Sequence, residues 1–126
     1  MRWRPTALQS LLLIAVACVA GTIGYDEYLI WRGARDGLTD ARADINSGTL
    51  RLKWGGHAKP WRPNVIRLFK DRYDVDVQYV YGCNSSWYQF KYAGAYNTEI
   101  SRYITAVRGS FPIEQLEEEA RNESRR

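Results

Sequence analysis

Two residues with reactive side chains stand at comparable places in this 126-residue sequence. Cys83 lies in Tyr81-Gly82-Cys83-Asn84-Ser85-Ser86-Trp87, after the β-rich run VDVQYV and ahead of a helix-like segment. His57 follows Gly55-Gly56 at the end of the alternating run TLRLKW. If both runs are strands of one parallel pair, both residues fall beyond the carboxyl ends, the edge where open α/β sheets bind ligands. They would then be neighbours although 26 positions apart. A cysteine just before a helix N-terminus has its thiolate favoured by the helix dipole, and a Cys–His pair is a nucleophile with its base. No third group that would orient the imidazole stands out; Asn84 and Asn97 are the candidates. Free cysteine is, however, among the most buried residue types and packs as a small hydrophobe. A histidine on a Gly-Gly loop reads equally as solvated surface. The packing interpretation is preferred, so no catalytic residue is assigned and a non-enzymatic role is expected.

Residues 51–72 carry Arg51, Lys53, Lys59, Arg62, Arg67, Lys70 and Arg72 against Asp71, with Trp54, Trp61 and Phe69 interleaved. Such a patch suits anionic lipid, polymer or nucleic acid. Arg62, Arg67, Lys70 and Trp61 are the candidate binding residues. A solvated outer face is the plainer interpretation and the preferred one. Net charge is a mild +4. A single histidine and two cysteines make a metal site unexpected. There is no phosphate-binding loop, and no cofactor is expected.

The elements that must position these residues begin with residues 1–25, MRWRPTALQSLLLIAVACVAGTIGY, which carry no charge after Arg4. A helix of roughly 17–25 apolar residues spans a bilayer core, so residues 7–25 are expected to contact the membrane. Arg2 and Arg4 place the N-terminus in the cytoplasm, and Tyr25, Tyr28 and Trp31 resemble an interfacial aromatic belt. The expected location is the bacterial inner membrane, single-pass, with the C-terminal domain in the periplasm. The alternatives are a cleaved signal peptide and a lipoprotein anchored at Cys18 after Ala15-Val16-Ala17. Small residues at Ala17, Ala20, Gly21 and Gly24 are read as ordinary membrane-helix composition.

Residues 26–48 read as a polar helical stalk with the stripe Ile30, Ala34, Leu38, Ala41, Ile45, weakened by Gly33 and Gly37 at about 1 kcal/mol each. Residues 49–116 read as a small α+β domain. A strand over 49–54, a helix over 63–73 and a strand over 75–81 form a βαβ unit with two parallel strands. A long aromatic-rich helix beginning near Ser86 covers them, since two strands alone are marginal. Trp87, Phe90, Gly94, Asn97, Ile100, Ile104 and Val107 fall near one face of that helix, and Tyr88, Tyr92, Tyr96 and Tyr103 broaden it. Gly109 caps it, Pro112 opens a short last helix, and residues 117–126 read as a charged tail that frays.

Between Asn46 and Asn97 the chain resembles small membrane-anchored bacterial proteins with no known activity. The resemblance rests on Asn46-Ser47-Gly48-Thr49-Leu50, Trp61-Arg62, Asp71-Arg72-Tyr73-Asp74-Val75, Gly82-Cys83 and Gly94-Ala95-Tyr96-Asn97. The similar proteins often carry Gly at the place of Asp74 and of Ala95. The resemblance implies that Gly82-Cys83 and Tyr96-Asn97 form one feature, and adds Tyr96 and Asn97 to the candidate binding residues.

The five Trp and nine Tyr offer large contact area at small entropic cost. The expected function is therefore a membrane-tethered extracytoplasmic interaction domain that engages a protein partner or its own copy. A thiol enzyme or small-ligand binder built on Cys83 and His57, and binding of anionic lipid or polymer through the basic patch, are the alternatives. A periplasmic domain leaves little room for nucleic acid.

Overall fold

A computed structural model describes residues 6–82 and 84–126. The first element, α1 (Ala7–Asn46), is one continuous helix of 40 residues, about 60 Å long at 1.5 Å per residue. Thr6 starts it with a reciprocal capping box. Its hydroxyl accepts from the Gln9 N–H while the Gln9 side chain accepts from the Thr6 N–H, satisfying two otherwise orphaned donors. Gly48, at φ +75°, ends it, and the Thr49 N–H returns to the Asp44 carbonyl at 2.9 Å. The expected anchor and stalk are thus two halves of a single rod. The first half has the length and apolar composition of a membrane span, features that a signal sequence shares, and none of its apolar window is buried inside the protein.

The body follows as β1 (Arg51–Gly55), α2 (Arg62–Tyr73), β2 (Asp76–Tyr81), α3 (Trp87–Arg108) and α4 (Ile113–Glu123). The strands are parallel, with Leu52 beside Val77 and Trp54 beside Tyr79. The register slips after Trp54, where Gly55 meets Tyr81. A Cβ on Gly55 would lie 1.8 Å from the Tyr81 ring, so a larger residue here would have to displace that ring. Leu52, Val75 and Val77 are buried with Val65, Leu68 and Phe69 of α2 and with Leu116 and Ala120 of α4. Ring edges fill the rest of this layer, with Trp54 against Phe69 and Phe69 against Phe111, both at 5.6 Å between centroids. Edge-to-face contacts of this kind contribute about 0.5–1.5 kcal/mol beyond their area.

Three expectations change here. Residues past 117 do not fray: α4 runs to Glu123 and sends Ala120 into the core. The acids of α4 hold it down, Glu119 against Arg72 and Glu123 against Arg67. The buried face of α3 is Ala93, Tyr96, Ile100 and Ile104, whereas Trp87, Phe90 and Val107 are exposed. The reason is the third change. The glycines of the stalk helix are its contact points, because α3 packs along the second half of α1. A Cβ on Gly33 would meet the Tyr88 carbonyl oxygen at 2.4 Å, and one on Gly37 the Tyr92 oxygen at 2.2 Å. Bare backbone at these two turns is what lets the helices touch.

Gly33 facing Tyr88 and Gly37 facing Tyr92 also fixes direction: α1 and α3 run parallel. Between them β1 runs back, since Arg51 pairs with Asp44 and Lys53 reaches Tyr92, whose own partner is Asp40. The carboxyl ends of both strands and the first turn of α3 therefore lie on the side of the body from which the apolar half of α1 emerges.

Candidate functional site

A seam of three tyrosines and three aspartates joins α1 to α3. Tyr88, Tyr92 and Tyr96 recur every four residues and stack, with centroids 6.0 and 6.2 Å apart. Their hydroxyls donate in turn to Asp36 at 3.0 Å, to Asp40 at 2.6 Å and to Asp44. Each pair is 52 residues apart in sequence, as parallel helices with one pitch require. Burial first, and then the bond to Asp40 or Asp44, pushes the Tyr92 and Tyr96 phenols well above the ordinary tyrosine range. They remain protonated donors at neutral pH, not nucleophiles. The Lys53 ammonium donates to the Tyr92 hydroxyl at 2.6 Å and lies 4.7 and 4.3 Å from the Tyr92 and Tyr96 ring centroids.

Asn97 stands on the same helix and has a structural task. Its side chain accepts from the Lys53 N–H at 2.7 Å and donates to the Lys53 carbonyl at 2.8 Å. It thereby closes the outer edge of β1, which would otherwise present unpaired groups. Tyr96, a candidate contact residue from the sequence, is fully buried.

Beyond the carboxyl ends of the strands lies a hollow of about 370 Å³. His57, Lys59 and Arg121 line it with Trp61 and Tyr79, and Lys53 lines it as well while its ammonium is held by Tyr92. Trp61 stands between two cations, with Lys59 5.4 Å and Arg121 4.9 Å from its ring. The Arg62 guanidinium covers the Tyr79 ring at 3.5 Å. Glu117 is the acid at this rim. Burial pushes its carboxyl up from the ordinary range against the pull of Arg121 and Lys59. Cations over flat rings suit an anionic ligand with an apolar or sugar-like face.

The structure places the other sequence candidates as follows. His57 also lines a smaller hollow with Tyr81, Gly82, Asn84 and Gln89. Cys83 lies outside the described residues. Arg67 pairs with Glu123 at 2.6 Å and with Asp71 at 3.6 Å. Lys70 pairs with Asp74 at 2.7 Å and with Asp76 at 3.1 Å. These two cations spend their charge within the chain, on acids that the span 51–72 does not contain apart from Asp71. Trp61 lines the hollow, and Arg62 covers the ring of Tyr79, another of its lining residues. Glu117 and Arg121 were missed because they sit in the stretch read as a tail. Their one sequence signal is the spacing of Leu116 and Ala120, an i, i+4 apolar pair that marks a packed helix. Comparison with protein-family models, curated proteins and solved structures finds no match to this chain.

Proposed function

We propose that the protein is a membrane-tethered, extracytoplasmic interaction domain. The observation that carries this is the first half of α1. Leu8, Leu11, Leu12, Val16, Val19 and Ile23 are each more than half exposed, while the core of the body closes without them. Each such side chain gains about 1.5–3 kcal/mol on leaving water, so an aqueous setting for all of them is strongly disfavoured. A bilayer supplies the cover, and the single rod holds the body beside it. Polar satisfaction of the body supports an independent domain: among the described residues no buried side-chain polar atom lacks a partner.

The test is fractionation of the full chain expressed in a bacterium, with a C-terminal phosphatase reporter that is active only outside the cytoplasm. The expected result is a carbonate-resistant membrane protein with an active reporter. Recovery of the body in the aqueous fraction, shortened at its N-terminus, would show that the first half of α1 is a cleaved signal. Metabolic labelling with palmitate that disappears in Cys18→Ala would assign the lipoprotein anchor instead.

A second reading concerns what the domain binds. The two cations beside the Trp61 ring, Lys59 and Arg121, favour an anionic ligand at the strand-end hollow. Under this reading Arg121→Glu and Lys59→Glu weaken retention on an anionic polysaccharide column and flatten its salt dependence, whereas Arg67→Glu, remote from the hollow, does not. Equal effects of all three would reduce the binding to net charge.

A further inference from the structure

We propose that the first turn of α3 rests in the lipid headgroup zone of the leaflet that α1 leaves, with Trp87 as the side chain that enters it. This deepens the anchor reading and rests on it. The geometry comes from the register of the two helices. Gly33 faces Tyr88, so Trp87 stands level with Arg32. Arg32 lies seven residues past Tyr25, the end of the uncharged stretch, which is about 10 Å along the helix axis. Asp26 and Glu27 mark where the hydrocarbon must end. The headgroup zone extends about 5–8 Å beyond that boundary. Helical side chains lean toward the N-terminus of their own helix, and for α3, parallel to α1, that direction is toward the bilayer. The indole of Trp87 therefore bridges the remaining gap.

The exposure pattern points the same way. Trp87 is 55% exposed and Phe90 54% exposed, on a helix whose other face is closed. The two line an apolar hollow with Ser85 and Ser86 at the start of α3. On α1, Tyr28 and Trp31 are exposed between the level of Tyr25 and that of Trp87. An indole with an apolar body and one N–H donor is the side chain most suited to a headgroup boundary. Arg32 lies at the level of Trp87 and is the cation nearest the lipid phosphates on this side of α1. Arg32 is partly engaged by Asp36 at 3.6 Å. Asp36 also accepts from Tyr88, so the nearest acid on the seam is already bonded. Two points of contact, α1 and the α3 turn, hold the body at one tilt.

The experiment uses the full chain in vesicles of phosphatidylglycerol and phosphatidylcholine. Tryptophan emission is quenched with lipids brominated at shallow positions on the acyl chain. Wild type is compared with Trp87→Phe, and with Trp87→Phe carrying Phe90→Trp. Flotation with the vesicles is scored in parallel. The expected result is that all three float, that Trp87→Phe loses part of the shallow quenching, and that Phe90→Trp restores some of it. Flotation with unchanged quenching in Trp87→Phe would overturn the docked turn and leave the anchor intact. Failure to float would overturn the anchor, and this inference with it.

Discussion

Gly37→Ala probes the α1–α3 seam at its tightest point. The added Cβ would lie 2.2 Å from the Tyr92 carbonyl oxygen and 3.0 Å from its carbonyl carbon. Both partners are backbone, so no rotamer change relieves the clash. Restoring ordinary contact near 3.4 Å moves the helices apart by about 1 Å. The Tyr92–Asp40 bond, now 2.6 Å, would stretch to about 3.6 Å, beyond hydrogen-bond range. Overpacking of this kind costs about 1–3 kcal/mol, while alanine in a helix interior gains about 1 kcal/mol over glycine. Sterics and the lost bond outweigh propensity, and the net expectation is destabilisation by about 1–2 kcal/mol. Gly94→Ala is the matched control: Gly94 is exposed in the middle of α3, and its Cβ would meet nothing within 4 Å. It should gain stability by about 0.5–1 kcal/mol. Urea unfolding of the full chain in mild detergent, followed by tryptophan fluorescence, measures both. If Gly37→Ala raised the midpoint as Gly94→Ala does, the close parallel contact of α1 and α3 would be wrong.

Tyr96→Phe should lose about 1–2 kcal/mol, since it removes one bond to a carboxylate that keeps Arg51 at 3.3 Å. A double-mutant cycle with Asp44→Ala should show coupling between the two, and strict additivity would remove the bond from the account. Alkaline titration should find phenols that resist ionisation until the body unfolds. Tyr79, Tyr88, Tyr92 and Tyr96 are all raised, in each case chiefly by burial. A folded pKa above the unfolded value near 10 gives stability that is complete below about pH 10 and drains away as pH rises through the folded values. Tyrosinate absorbance rising uniformly near pH 10, with the fold intact, would contradict this. At the end of α2, Asp74 adopts φ 55°, a left-handed conformation that glycine takes without steric cost. Asp74→Gly relieves the backbone and gives up the Lys70 contact, whereas Asp74→Val keeps the strain and gives up the contact too. The thermal midpoint should therefore fall further for Val than for Gly, and the reverse order would count against a strained cap.

Several features were legible in the sequence because their causes are local. The uncharged run before Asp26 specifies an apolar helix wherever it lies. The alternation in TLRLKW and VDVQYV specifies strands, and the serines before Trp87 mark a helix start near Ser86. The parallel pairing follows from the helix between the strands, since such a connection returns the chain in the same direction. Of the strand-end hollow, His57 was legible from its place after β1, while Trp61 was legible only as part of the basic patch.

The rest depended on contacts between segments far apart in the chain. Gly33 and Gly37 look like defects in an isolated helix, and Tyr88, Tyr92 and Tyr96 look like a broad apolar face. Only the packed pair shows that the glycines admit the tyrosine backbone and that the phenols reach Asp36, Asp40 and Asp44. The charges of residues 51–72 likewise look unbalanced until Glu119 and Glu123 arrive on α4. Periodicity fixes which residues share a face of one element. Which face meets which partner is decided by steric fit and charge pairing across the whole chain, and those terms exist only once the elements are assembled.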